Sequence, residues 1–159
     1  MRKFRFHQAS SIKDALAQLK GKGERARVLA GGTDLLGEMK DGIAGPELLV
    51  SLKGIPGLDR VSLGAEGLRM GAMVSLHEIA THPEIGKQFG ALAQAASEVG
   101  SPPLRHMGTL GGNLCQRPRC WYYRGDLVCL KKGGERCYVP TGQNKYHAIL
   151  EGGPCFIVH

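Results

Sequence analysis

The amino-acid sequence predicts an α+β protein in which a small α/β lobe precedes a larger α+β lobe. In residues 1–54, strand-like apolar runs alternate with stretches that have a helical apolar stripe, as is typical of an α/β unit. After a turn at Ile55-Pro56-Gly57-Leu58 the pattern changes to a hairpin followed by helices. A chain of 159 residues is long enough for two such lobes, which we place at residues 1–54 and 55–159.

The small lobe is predicted to follow the order β-α-β-α-β. Ser10 or Ser11 caps a first helix whose apolar residues follow the i, i+3, i+4, i+7 spacing, and Gly21 ends it. A second, short helix spans residues 35–40. The strands are predicted at residues 3–6, 27–30 and 48–52. Because a helix connects each strand to the next, we expect the strands to be parallel.

The second lobe is predicted to begin with a hairpin of strands 61–63 and 68–72. Ser75 then caps a helix that ends near Thr81, and Pro83 opens a longer helix that stops at Gly100-Ser101-Pro102-Pro103. From Leu104 onward the composition favours loops, with a cysteine-rich segment at about residues 115–155.

Two glycine-containing loops are candidates for binding a phosphate. Ala30-Gly31-Gly32-Thr33-Asp34 lies between a predicted strand and a predicted helix, where consecutive backbone N–H groups can converge on an anion. Gly108-Thr109-Leu110-Gly111-Gly112-Asn113 again combines glycines with a hydroxyl and an amide. Either loop alone is equally explained as a tight turn, and neither is a Walker A or G-x-G-x-x-G motif. One such loop in each lobe indicates a diphosphate cofactor between them.

The five cysteines all lie near the end of the chain, at positions 115, 120, 129, 137 and 155. Their odd number and the lack of a secretory signal argue against a disulfide framework. The last four form the pattern C-x8-C-x7-C-x17-C, which lacks the short C-x2-C pair usual in structural zinc sites. Iron–sulfur clusters are held by four thiolates, often with longer loops between them. The spacing alone leaves zinc and an iron–sulfur cluster equally open.

The net charge of +7 allows a nucleic acid, an acidic partner or a phosphate-bearing cofactor as ligand. The basic residues form no run and aromatic residues are not interleaved with them, which argues against nucleic acid. No apolar stretch reaches the ~20 residues of a membrane span, and the N-terminus does not resemble a signal peptide. We therefore expect a cytoplasmic protein.

Three motifs together resemble one family: Leu29-Ala30-Gly31-Gly32-Thr33-Asp34-Leu35, Gly108-Thr109-Leu110-Gly111-Gly112-Asn113-Leu114 and Cys120-Trp121-Tyr122-Tyr123-Arg124. The family is the FAD-binding subunit of molybdenum hydroxylases, which include xanthine and aldehyde dehydrogenases, carbon monoxide dehydrogenase and 4-hydroxybenzoyl-CoA reductase. The resemblance implies an FAD-binding fold of the vanillyl-alcohol-oxidase (PCMH) type, with a second lobe that is incomplete here. Family members continue well beyond a pair like Val158-His159, so we expect this chain to be truncated.

The resemblance also implies which residues contact FAD. The first loop would wrap the diphosphate, and residues of the second lobe would contact the diphosphate and the flavin side. The implied contacts are Leu29, Ala30, Gly31, Gly32, Thr33, Asp34, Leu35, Leu36, Ser101, Thr109, Gly112 and Asn113. No catalytic side chain is implied, because the isoalloxazine ring performs the redox chemistry. For His106 we favour loop packing over flavin contact.

Family members similar to bacterial aldehyde oxidoreductases carry a cysteine-bearing insert after the second loop, and the insert binds a [4Fe-4S] cluster. The stretch from Arg119 to Arg124, followed by Cys129, Cys137, residues 144–149 and Cys155, resembles this insert, which favours the cluster over zinc. The implied ligands are Cys120, Cys129, Cys137 and Cys155, with Cys115 as the spare thiol.

The function implied by the resemblance is electron transfer from iron–sulfur centres through FAD to an acceptor. The implied partners are a molybdopterin-containing large subunit and a [2Fe-2S] small subunit, without nucleic acid. Two alternatives use the same residues differently. One is a zinc-binding structural or regulatory module without flavin, and the other is a basic nucleic-acid-binding domain that uses residues 117–124.

Overall fold

The computed structural model describes residues 1–157, and the Val158-His159 pair lies outside the described residues. The chain forms two compact units, Met1–Gln116 and Arg117–His159. Both glycine loops belong to the first unit, and the four cysteines from Cys120 onward belong to the second. The predicted lobe boundary at residues 54–55 falls inside the first unit and remains a prediction.

A three-stranded parallel sheet forms the beginning of the first unit, with the strand order β1-β3-β2. Its strands are β1 (Arg5–Gln8), β2 (Ala26–Leu29) and β3 (Leu48–Ser51), connected by helices α1 (Ile12–Leu19) and α2 (Leu35–Lys40). The predicted β-α-β-α-β order and the parallel pairing are confirmed. The central strand β3 is buried along its whole length, as expected for a parallel strand with neighbours on both edges.

The remainder of the first unit is a hairpin followed by short helices. The hairpin pairs β4 (Val61–Gly64) with β5 (Gly67–Met70) in antiparallel register. Ser75 begins the next helix as predicted, because its hydroxyl accepts the backbone N–H of Glu78 at 3.0 Å. The helices are α3 (Leu76–Thr81), α4 (Pro83–Gln88), α5 (Gly90–Ser97), α6 (Pro102–Met107) and α7 (Leu110–Leu114).

Two of the sequence-based expectations for this region are wrong. The helix that begins at Pro83 is interrupted at Phe89, whose φ of −131° and ψ of 48° leave the helical region. The next residue is Gly90, which favours a break because glycine is a poor helix former. Pro102-Pro103 does end the preceding segment, but it also opens α6, since proline suits the first turn of a helix.

Two separate groups of buried apolar residues stabilise the first unit. One lies between the parallel sheet and its helices and consists of Ala9, Ala15, Ala26, Leu48, Val50 and Ile55. The other lies among the helices that follow the hairpin and consists of Val74, Leu76, Ile79, Ile85, Ala93 and Ala96. Each set of secondary-structure elements therefore has its own core.

The second unit contains little regular structure. Its elements are α8 (Trp121–Arg124) and a short 3-10 turn at Leu130–Lys132. The expectation of a loop-rich segment is thus correct from Gln116 onward, although not for residues 104–114. Its large buried side chains are few, with Tyr123 and Val139 among them.

A pair of glycine substitutions outside the two glycine loops tests the packing of the first unit. We expect Gly86→Ala to raise the free energy of unfolding by about 0.5–1 kcal/mol, because a β-carbon there meets open space within a helix. Gly71→Ala should lower it by more than about 1 kcal/mol, because its β-carbon would overlap the carbonyl of Leu58. Denaturant unfolding of both variants measures the difference. Equal stability of the two variants would show that the chain at Gly71 is loosely packed.

Candidate functional site

The first glycine loop connects the end of β2 to the start of α2. Residues 29–36 are all partly exposed, so the loop lies at the surface of the first unit. Gly32 has a φ of +79°, a conformation that favours glycine, and a β-carbon on it would lie 2.9 Å from Leu36 Cδ1. The local backbone therefore requires glycine at this position whether or not a ligand binds.

The backbone N–H groups of this loop point to an anion site. Within residues 1–157, the N–H groups of Gly31, Gly32 and Thr33 have no acceptor, and the Thr33 hydroxyl makes no hydrogen bond. Backbone N–H groups rarely stay unpaired unless water or a ligand satisfies them. Consecutive N–H groups of this kind form the concave nests that bind phosphate oxygens. Anion binding by this loop remains a prediction that the unused N–H groups support.

A buried ion pair fixes the two elements that flank the loop. Arg27 on β2 lies 3.8 Å from the carboxylate of Glu38 on α2 and 2.5 Å from that of Glu24. Glu38 is only 1% exposed. This contact joins the strand and the helix on either side of the loop.

The second glycine loop has a different hydrogen-bonding pattern, because its N–H groups serve the chain itself. Leu110 donates to the carbonyl of Val74 and Gly111 to that of Ala72, both at 2.8 Å. The Thr109 hydroxyl accepts the N–H of Gly112 at 3.2 Å and so caps α7. Thr109 is 5% exposed. These N–H groups are therefore already used within the chain, and the FAD contacts implied for Thr109 and Gly112 remain predictions.

The two predicted loops lie against each other. A β-carbon on Gly31 would overlap the carbonyl of Met107, and one on Gly108 would lie 3.7 Å from Thr33 Oγ1. On the far side, a β-carbon on Gly112 would lie 3.9 Å from Ala30 Cβ. Residues separated by almost eighty positions in the sequence thus form one site, and glycine is what allows their backbones to approach.

Ser101 and Asn113, two polar residues predicted to contact FAD, differ in their position relative to the contact between the loops. Asn113 is partly exposed on α7, next to the loop contact, and its side-chain amide has no hydrogen-bond partner in the described part of the chain. Ser101 is exposed at the start of α6, the end of that helix opposite Gly108, and makes no capping bond. No contact between Ser101 and the first loop is found among the described residues. Ser101 and Asn113 remain predicted contacts.

His106 packs against another histidine. Its ring is stacked on that of His77, with ring centroids 3.8 Å apart and an angle of 29° between the planes. The pair links α6 to α3 beside the second loop. This contact agrees with the expectation that His106 contributes to packing.

The second unit contains a cavity lined by four cysteines. The lining of the cavity includes Cys120, Cys129, Cys137 and Cys155, the four predicted ligands. All four are unpaired, and Cys129 is buried. The fifth, Cys115, is exposed and belongs to the first unit. The four thiols that the resemblance implies as ligands thus line one cavity, and what they bind remains a prediction.

A closed loop brings Cys129 and Cys137 to the same side of this cavity. Leu130 N–H donates to the carbonyl of Arg136 at 3.2 Å, and Gly134 N–H donates to that of Cys129 at 2.9 Å. Gly133 permits the reversal through its φ of +83°. Cys129 and Cys137, which have seven residues between them in the sequence, thereby line the same cavity.

The arrangement of the thiols does not favour a single metal ion. Among residues 1–157, no three His, Cys, Asp or Glu side chains are grouped closely enough to hold one ion. A zinc ion requires all four ligands at about 2.0–2.3 Å from one point. The alternative of a zinc-binding module is therefore not favoured by the described residues.

The charge of the second unit suits an anionic group. It contains seven Lys and Arg against three Asp and Glu. Arg117 and Arg124 both lie over the ring of buried Tyr123, at 5.6 and 5.7 Å from its centroid.

One residue of this cavity was missed by the sequence analysis. His147 lines the same cavity, is 6% exposed, and has no hydrogen-bond partner on either ring nitrogen in the described structure. Its position between the third and fourth cysteines was the available signal, but the role of a histidine there is not readable from spacing. Separately, no helix in residues 1–157 is long and apolar enough to cross a membrane.

A family model and the related proteins found by comparison indicate the same family. The family described as "FAD binding domain in molybdopterin dehydrogenase" matches residues 2–129. The chain is 36% identical over 128 residues to the aldehyde oxidoreductase FAD-binding subunit PaoB of Escherichia coli, covering 79% of this chain and 40% of that protein. It is 38% identical over 112 residues to the carbon monoxide dehydrogenase medium chain of Afipia carboxidovorans, covering 69% of this chain and 38% of the relative.

Solved structures show the same fold. A carbon monoxide dehydrogenase from Hydrogenophaga pseudoflava matches with a TM-score of 0.68 and 33% identity, covering 71% of this chain and 39% of that one. The chain thus spans about 40% of the length of the relatives it matches. The fold class predicted from the sequence is confirmed. The chain belongs to the family of FAD-binding domains of molybdopterin dehydrogenases.

Proposed function

We propose that this chain is the FAD-binding part of an electron-transfer subunit in a molybdenum-containing hydroxylase. In this role it transfers electrons from iron–sulfur centres through FAD to an acceptor. The observation that carries the proposal is the contact between the two glycine loops, which places open N–H groups beside polar side chains in a member of an FAD-binding family.

The residues of the first unit fit the diphosphate of FAD. The N–H groups of Gly31, Gly32 and Thr33 supply donors that the chain leaves unused, and the Thr33 hydroxyl adds another. Donors fixed in a rigid turn bind phosphate without reorganising. The second loop lies against this turn, and its Asn113 is a further proposed contact. FAD itself supplies the redox chemistry, and the protein positions and tunes it.

The cysteine-lined cavity fits a [4Fe-4S] cluster, which we propose as a second cofactor. Four thiols line one cavity within a basic unit, and a cluster of this type is held by four thiolates. The similarity to the aldehyde oxidoreductase subunit covers 79% of this chain, more than the 116 residues of the first unit, so it extends into the second. The zinc alternative is not favoured, since no compact group of three metal ligands exists in the described residues.

The partners follow from the same proposal. Relatives are named as medium chains or medium subunits, which indicates complexes with further chains. We propose a molybdopterin-containing large subunit and a [2Fe-2S] small subunit as partners, and the cytoplasm as the location. Copurification of the tagged chain with its neighbours and metal analysis of the complex would test this directly.

The FAD site is tested by Thr33→Val, which removes a hydroxyl while conserving shape. We expect FAD binding to weaken by about 1.5–3 kcal/mol, the size of one charge-assisted hydrogen bond, without loss of stability in the ligand-free protein. Thr81→Val is the matched control, since the Thr81 hydroxyl bonds only to the carbonyl of His77 within α3. Titration with FAD, followed by flavin fluorescence, gives both affinities. Equal affinity of the two variants would remove Thr33 from the site.

Gly32 is a less suitable position for this test. Its positive φ and its closeness to Leu36 mean that a β-branched residue would strain the fold as well as obstruct a ligand. Thr109→Ala has a similar drawback, because the hydroxyl caps α7 and its loss would cost about 1 kcal/mol of stability on its own.

The cluster ligands are tested by individual alanine substitutions of all five cysteines. After anaerobic reconstitution, we expect Cys120→Ala, Cys129→Ala, Cys137→Ala and Cys155→Ala each to lose most of the iron, because the cluster requires four thiolates. Cys115→Ala should retain the iron and the paramagnetic signal of the reduced cluster. Iron loss in Cys115→Ala with retention in Cys155→Ala would refute the ligand set. Zinc in protein prepared without air would refute the cluster itself.

A further inference from the structure

The buried ring of His147 lacks the hydrogen bonds that a buried polar group normally has. Only 6% of the residue is exposed, and neither Nδ1 nor Nε2 has a partner in the described chain. More than nine in ten buried polar groups in folded proteins have a partner, so an imidazole with two unsatisfied nitrogens requires an explanation. The missing partner is therefore a group that residues 1–157 do not supply.

Packing and backbone contacts fix the position of this ring. The N–H of His147 donates to the carbonyl of Asn144 at 3.0 Å, and the next residue, Ala148, donates to the carbonyl of Phe156 at 2.9 Å. The Trp121 ring meets the imidazole edge-on, with ring centroids 5.3 Å apart. None of these contacts uses a ring nitrogen. The ring is thus held firmly while its polar atoms remain available.

The ring lines the cavity that also contains the four thiols. Cys120, Cys129, Cys137 and Cys155 line that cavity together with His147. His82 in the first unit provides a contrast, because only its Nδ1 is both buried and unpartnered, and it lies at the junction of α3 and α4. His147 is the histidine whose unsatisfied atoms coincide with a candidate cofactor site.

We propose that the imidazole N–H of His147 donates a hydrogen bond to a sulfur of the cluster held by the four cysteines. This inference rests on the proposed cluster and assigns His147 as a positioning residue that tunes it, not as a ligand. Four thiolates already complete the ligand set of a [4Fe-4S] cluster. A neutral imidazole always carries one N–H, so the donation requires no change in protonation.

The physical effect of such a bond is on the reduction potential. Reduction adds negative charge to the cluster, and a donor directed at its sulfur stabilises the reduced form more than the oxidised form. Because the ring is buried, this interaction is not screened by water as a surface contact would be. His147 therefore raises the potential of the cluster relative to the same cluster without this donor.

The test compares His147→Phe, His147→Gln and His82→Phe in the full chain, reconstituted with iron and sulfide under anaerobic conditions. Phenylalanine keeps a ring without a donor, glutamine keeps a donor without the ring, and His82→Phe controls for loss of a partly unpartnered histidine elsewhere. Iron content, the reduction potential and the hyperfine coupling of exchangeable protons to the reduced cluster are measured for each.

We expect all three variants to keep four irons. In His147→Phe the potential should shift to more negative values and one exchangeable-proton coupling should disappear, while His147→Gln recovers most of both. His82→Phe should match the wild type. These combined results support the donor assignment.

Other outcomes overturn specific parts of the proposal. An unchanged potential and unchanged couplings in His147→Phe, with four irons present, refute the hydrogen bond and leave the cluster standing. A three-iron signal in His147→Phe identifies the ring as a ligand and refutes the donor assignment. A wild-type chain that retains no iron refutes the proposed cluster and, with it, the role of His147.

Discussion

The contact between Gly31 and the carbonyl of Met107 is the constraint on which the candidate flavin site depends. Any side chain at Gly31 would occupy the space of that carbonyl, so the two loops can touch only as bare backbone. The first loop follows strand β2 of the parallel sheet, and the second lies among the helices after the hairpin. Their separate hydrophobic cores make each side rigid, and the glycine contact sets the distance between them.

The two glycine loops are similar in sequence but differ in how their backbone N–H groups are used. The second loop uses its N–H groups to attach itself to Ala72 and Val74, and so becomes a fixed support. The first loop keeps its N–H groups unused and becomes the part that can receive an anion. A glycine-rich sequence therefore does not reveal whether a loop binds a ligand or supports a neighbouring loop. The outcome depends on which backbone carbonyls lie close enough to accept the N–H groups of the loop.

Sequence reasoning captured what depends on periodicity and local chemistry. The parallel order of β1, β2 and β3, the Ser75 cap and the positions of both glycine loops were predictable for that reason. The break at Phe89 and the helix after Pro102 were not, since both depend on weak local preferences decided by tertiary packing. His147 was not predictable either, because burial and missing partners are properties of the folded chain alone.

The grouping of four thiols within residues 117–159 has a consequence for how the protein could be assembled and how it could have evolved. Every cysteine that lines the cavity comes from one 43-residue unit, and the glycine loops come entirely from the other. The proposed cluster would therefore need no side chain from the glycine loops, and the proposed flavin site would need no thiol. A segment with this independence can be gained or lost by a gene as a single cassette while the glycine loops keep their sequence.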